Sequence, residues 1–102
     1  MAVIMNQTMP EGVPIEMLDG VTKEMDAKAD PPPGMILHVH YEDGGRVRVM
    51  DVWESEQAYH SFREQRLTPA MEKVAAANGI DLSQTPQPEA AFVEVHDLVR
   101  GS

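Results

Sequence analysis

The 102-residue chain carries 8 Lys+Arg against 17 Asp+Glu, a formal charge of −9, and is 42% hydrophobic and 25% charged. That is the composition of an ordinary globular domain, and its acidity opposes phosphate backbones and anionic lipid, so neither nucleic acid nor a membrane is an expected partner. The absence of cysteine removes thiol catalysis, disulfides and thiolate metal sites together.

The first basic residue is Lys23, and Pro10, Glu11, Pro14 and Asp19 interrupt the region before it, so no leader is expected. No run of about eighteen apolar residues could span a bilayer. The expectation is a soluble, cytoplasmic protein with a single domain over residues 1–100, Gly101-Ser102 being set apart as a tail or cloning scar.

Residues 2–8 read as a short strand closed by Met9-Pro10-Glu11-Gly12. Pro14 suits a first helical turn, and Ile15, Leu18, Val21, Met25 and Ala29 follow at spacings of three and four, predicting a helix over 14–29 that ends at Asp30-Pro31. Glu11, Glu16, Asp19, Glu24 and Asp26 read as its solvated acidic face. Met35 to Tyr41 and Arg46 to Trp53 are strands flanking Glu42-Asp43-Gly44-Gly45, a hairpin signal because Gly tolerates the positive φ of tight turns. Ser55 is the expected N-cap of a second helix over 55–78, marked by Ala58, Tyr59, Phe62, Leu67, Met71, Val74 and Ala75, kinked at Pro69 and stopped at Asn78-Gly79. A loop holding Pro86 and Pro88 leads to a last strand over 90–98. The order is βαββαβ, a ferredoxin-like α+β arrangement with both helices on one face of a four-stranded antiparallel sheet.

Two helices cover only one side of such a sheet. Alternation assigns Val3, Met5, Leu37, Val39, Val93 and Val95 to the helix side. It leaves Ile4, Asn6, Ile36, His38, His40, Phe92, Glu94, His96 and Leu98 on the other, a mixture that marks an interface or a ligand cleft. An even-numbered hairpin loop adds Val47, Val49, Asp51 and Trp53 to this mixed face, with His38 opposite Asp51 and Ile36 opposite Trp53. A three-residue loop would present Arg48, Met50 and Val52 instead. A second copy closing over the uncovered side is expected, since a domain this small is marginal by itself.

Several side chains on that face carry chemistry. The Asn6 amide could hold a carbonyl or an oxyanion, or be a buried amide satisfied by backbone. Trp53 offers a flat wall and one N–H donor, or simply core. His38 beside Asp51 would be an oriented general base, or a structural cross-strand pair. His38-x-His40 with His96 or Glu94 resembles two histidines and a carboxylate around a metal, a weak pattern, and the reading adopted has no metal and no cofactor. The eight methionines read as flexible core filler.

Val49-Met50-Asp51-Val52-Trp53-Glu54-Ser55, Tyr59-x-x-Phe62 and Arg66-Leu67-Thr68-Pro69-Ala70, within the βαββαβ order, resemble the dimeric α/β-barrel superfamily that includes the antibiotic-biosynthesis monooxygenases. The resemblance implies two protomers packed sheet to sheet, each with a cleft for a small molecule. Some members oxidise aromatic polyketides without metal or prosthetic group, and others bind or degrade haem. The oxygenases' first-strand Asn and the Trp near the second helix match Asn6 and Trp53. The ligand His of haem-degrading members falls nine or ten residues after the Trp, where this chain has Phe62 and Arg63, and His60 comes seven after.

The expected molecule is thus a homodimer that binds a small hydrophobic or aromatic compound as a cofactor-independent monooxygenase. Asn6, His38, Asp51 and Trp53 are its candidate catalytic residues. Ile36, His40, Tyr59, Phe62, Phe92 and His96 are its candidate substrate contacts. A haem-binding relative and a non-catalytic binding or dimerisation module are the alternatives.

Overall fold

The computed structural model describes residues 2–81 and 90–101. Strands β1 (Val3–Thr8), β2 (Met35–Asp43), β3 (Arg46–Trp53) and β4 (Ala91–Glu94) form one antiparallel sheet in the order β2-β3-β1-β4. Helix α1 (Ile15–Met25) follows β1, while α2 (Glu56–Phe62) and α3 (Thr68–Ala77) follow β3, joined by a π-helical turn at Arg63–Leu67. This is the ferredoxin-like topology, with β3 and β1 in the middle of the sheet. No helix among the described residues is long and apolar enough to cross a membrane.

Local chemistry explains the element ends. Asp43 pairs with Arg46 around Gly44 and Gly45, whose φ values of 62° and 80° suit a two-residue turn, so the three-residue alternative does not occur. His38 therefore lies opposite Asp51. At the start of β2, however, Met35 is opposite Trp53 and Leu37 opposite Val52, leaving Ile36 as the extra residue of a bulge rather than the partner of Trp53. Helix α1 stops short of Ala29 because Asp26 takes a left-handed conformation at φ 54°, its N–H turned back to Lys23 and Thr22 carbonyls. Ser55 Oγ accepts the Ala58 N–H at 3.1 Å, capping α2.

Pro69 acts upstream of its own position. It has no N–H, and its ring crowds the carbonyl of Gln65. The turn before it widens, so that the Thr68 N–H bonds to the Arg63 carbonyl, five residues back. Gly79, at φ 68°, ends α3, and the Ile80 N–H returns to the Ala75 carbonyl at 2.8 Å. Strand β4 ends at Glu94, short of Leu98. The loop holding Pro86 and Pro88 falls outside the described residues.

Residues paired directly across antiparallel strands share a face. The pairings Val3 with Trp53, Met5 with Asp51 and Phe92, His38 with Asp51 and His40 with Val49 define the side beneath the helices. Its buried core comprises Val3, Met5, Val47, Val49, Trp53, Tyr59 and Phe62 among others. The pairings of Ile4 with Val52 and Val93, Asn6 with Met50 and Val39 with Met50 define the open side. The face assignment expected for β2, β3 and β4 is thus inverted. Leu37, Val39 and Val93 face outward, while His38, His40, Val49, Asp51, Trp53 and Phe92 face the helices. Alternation separates two faces without saying which one is covered. Histidines can occupy the covered side here because each ring nitrogen has a partner there.

Candidate active site

Four side chains from three elements form a continuous hydrogen-bonded row. Asp51 on β3 is 2% exposed and sits beneath the helices. Its Oδ2 accepts the Trp53 indole N–H at 3.1 Å, and its Oδ1 lies 2.6 Å from His38 Nδ1. His38 Nε2 lies 2.9 Å from His40 Nδ1, and His40 Nε2 lies 2.8 Å from Asp19 Oδ1 on α1. Strand geometry makes this possible, since His38 and His40 project from the same face two residues apart and Asp51 is the direct cross-strand neighbour of His38. Each ring nitrogen of the pair is therefore engaged. Trp53 is fully buried, packed at 5.0 Å on the Phe62 ring and edge-on to Tyr59 at 5.8 Å. It holds Asp51 from behind.

Asp51, His38 and His40 of this row form one wall of a cavity of about 100 Å³ between sheet and helices. Opposite lie Leu18, Val21 and Met25 of α1, with Phe62, Arg63, Leu67 and Met71 closing one side and Met5, Met9 and Met35 the floor. Thioether side chains are unbranched and repack at low cost, so a methionine-lined space can widen around a guest. The π turn sets the helical wall. In a straight α-helix, Met71 would point about 120° away from Tyr59, but one residue absorbed in a wider turn reduces this to about 20°. Tyr59, Arg63, Leu67 and Met71 consequently all border the cavity.

Tyr59 supplies a second buried polar group. The residue is 1% exposed, and its hydroxyl has no hydrogen-bond partner of good geometry among the described residues. Burial pushes the phenol above its ordinary 10.0, and the Arg63 charge pulls it down while the Asp51 charge raises it. At neutral pH it is an O–H donor with an acceptor site to fill.

Of the candidate residues, His38, His40, Asp51, Tyr59 and Phe62 border the cavity. Trp53 supports Asp51, and Phe92 packs edge-on against Tyr59 at 5.3 Å without bordering the space. Asn6 is exposed on the open face, Ile36 occupies the bulge, and exposed His96 lies beyond β4, so none of the three joins this site. His60 sits outside the cavity, 3.4 Å from Glu56. Glu94 is on the far edge strand, three strand spacings or about 14 Å from β2. No group of three or more His, Cys, Asp or Glu among the described residues is arranged to hold a metal ion.

Sequence reasoning passed over Asp19 and Arg63. Asp19 read as one of many solvated acids on α1, and only the fold shows that it reaches His40. Arg63 carried one available signal, its spacing of four from Tyr59.

No family model matches the sequence, and no curated protein matches it either. Solved structures do match in fold. SnoaB, a cofactor-independent oxygenase from Streptomyces nogalater, aligns with 98% of this chain and 97% of its own at TM-score 0.59 and 17% identity. The ActVA-Orf6 monooxygenase of Streptomyces coelicolor, solved with nanaomycin D, aligns with 99% of this chain and 93% of its own at TM-score 0.57 and 23% identity. A third structure, described as an antibiotic biosynthesis monooxygenase, aligns with 95% of this chain and all of its own at TM-score 0.62 and 13% identity. The chain resembles these monooxygenases in fold.

Proposed function

We propose that the chain is a homodimeric, cofactor-independent monooxygenase that binds a small aromatic, polyketide-like phenol in the cavity beneath its helices. The observation that carries this reading is a buried carboxylate, and a buried phenol with no hydrogen-bond partner of good geometry among the described residues, on the wall of a mostly apolar space. Such a site binds a flat apolar body and exchanges a proton with it. The fold of the structures described above supports the same reaction class. Pairing of two copies is supported by exposed Leu37, Val39, Tyr41 and Val93 on the open face.

Asp51 is the base in this reading. Both nitrogens of His38 are occupied, whereas each Asp51 oxygen keeps a lone pair beyond its bond to His38 or Trp53. Asp51 takes a proton from an acidic CH₂ between two aryl rings that are joined on their other side by a carbonyl, as in an anthrone, leaving a carbanion delocalised onto that oxygen. The carbanion reduces O₂ and forms a C–O bond, giving a peroxide. The O–O bond then breaks as C=O forms, the second hydrogen leaves the carbon, and one oxygen departs as water with the proton returned by Asp51. Methylene plus O₂ thus gives ketone plus water. The Tyr59 O–H and Arg63 stabilise negative charge on the substrate oxygen.

Oxygen uptake measured with a panel of polycyclic phenols and anthrones, without added metal or flavin, tests the proposal. One O₂ consumed per ketone formed is expected, with the rate reduced about 10²–10⁴-fold in Asp51→Asn. Binding of the same compounds with no uptake would identify a binding module instead, and an Asp51→Asn rate equal to that of the parent would remove the base.

A further inference from the structure

The row of four side chains joins two different environments. At one end the Asp51 side chain is 3% exposed on the cavity wall, and at the other the Asp19 side chain is 61% exposed. Between them lie three hydrogen bonds of 2.6, 2.9 and 2.8 Å. Three bonds need three protons. Two neutral imidazoles carry only two, so the fully bonded row holds one proton more than two neutral rings and two carboxylates would.

That additional proton has four equivalent descriptions. It can be written on Asp51, His38, His40 or Asp19, and each description keeps every bond and the same net charge of one negative unit. Moving from one to the next shifts a single hydrogen across a single bond. We propose that Asp51, His38, His40 and Asp19 form a proton conduit, through which a proton taken up at Asp51 in the cavity is delivered at Asp19 to solvent and later recovered by the same path.

Direction matters to such a row. Once a proton has passed outward, every imidazole is left in the tautomer that passes one inward, so a second outward transfer would require the rings to turn over. A reaction that removes a proton and then returns it needs no such reset. The conduit therefore deepens the oxygenase reading and rests on it for the origin of the proton, while the wire itself is a property of the side chains alone. Besides the four members, the charged and titratable groups facing it are Lys23, Asp26 and Lys28 around the outer end and Tyr59 and Arg63 at the inner end.

The experiment has a spectroscopic arm and a kinetic arm, both on the full chain. Nitrogen-15 NMR should show the His38 and His40 rings joined by a coupling across the central bond. Asp19→Asn should displace the ring nitrogen-15 resonances of His38, a residue that Asp19 does not touch. Two uncoupled rings, or unmoved His38 ring resonances, would overturn the conduit even if oxygen uptake is found. His40→Phe should slow oxygen uptake at least about tenfold, below the 10²-fold scale of a lost general base, with added imidazole restoring the rate. An unchanged His40→Phe rate, or a loss that no buffer restores, would overturn it too. Parent protein that takes up no oxygen would end the oxygenase reading and leave the wire to be decided by the NMR result.

Discussion

On the helix side of the sheet, buried Asp51 has two hydrogen-bond partners, and the partly exposed His38 and His40 have two each. On the other side, aliphatic Leu37, Val39 and Val93 stand 38%, 41% and 56% exposed on the same strands. On β2 the histidines face the helices and the aliphatic side chains face outward. What sets the location of a residue is the sum of its available partners rather than its polarity alone. Histidine can face the helix side where both nitrogens are satisfied, and valine faces outward where the described chain has no element left to cover it.

The comparison breaks most readily at the open face. Leu37→Asp places a charge where the partner copy is expected, at a cost of about 2–5 kcal/mol in association. Sedimentation should show a dimer in the parent and a monomer in the variant, with the ligand site beneath the helices still formed. A parent that sediments as a monomer well above micromolar concentration would mean that the exposed aliphatic face serves some other purpose.

Tyr59 sharpens the other side. Its buried hydroxyl has no hydrogen-bond partner of good geometry among the described residues, and an unsatisfied group of this kind costs about 1–3 kcal/mol. Tyr59→Phe should therefore raise the melting temperature by about 4–8 °C for each kcal/mol recovered and weaken binding of a phenolic ligand. The pH profile carries its own signature. Since the phenol titrates above 10.0 in the folded state, folding holds its proton more tightly than the unfolded chain does. This contribution is full below the unfolded value and is lost as pH rises through the folded one. Thermal melts across alkaline pH should show a steep decline in the parent and a flatter one in Tyr59→Phe. Identical slopes would assign the decline to other groups.

The smallest effect is expected at Asn6. It is exposed and paired with Met50 and Ala91 on the open side, so Asn6→Ala should change oxygen uptake by no more than about twofold, the ±0.5 kcal/mol range of surface substitutions. A hundredfold loss would place its amide in the reaction and redraw the faces.

Much of the fold was legible because its signals are local. Gly44-Gly45 fixed the hairpin and hence the His38–Asp51 pair, and Ser55 and Gly79 marked helix ends through their own backbone requirements. The sidedness of the sheet was not legible, because it depends on which face α1 and α3 cover, a tertiary fact. The same holds for the Ile36 bulge and for the π turn, where Pro69 disturbs a hydrogen bond several residues upstream. At the site, the His38–Asp51 pair came from hairpin spacing, and Tyr59 from the helix stripe and the Tyr59-x-x-Phe62 motif of the resemblance. Asp19 did not, since an acid on a helix otherwise rich in acids gives no sign of the histidine it meets.

The central claim is that the ligand face is the one beneath the helices. Methyl NMR of the parent protein, labelled at Met, Leu and Val and titrated with a polycyclic phenol, tests it directly. The account predicts shifts at Met5, Met35, Met71 and Leu18 with Leu37, Val39 and Val93 unmoved. Shifts confined to Leu37, Val39 and Val93 would contradict it.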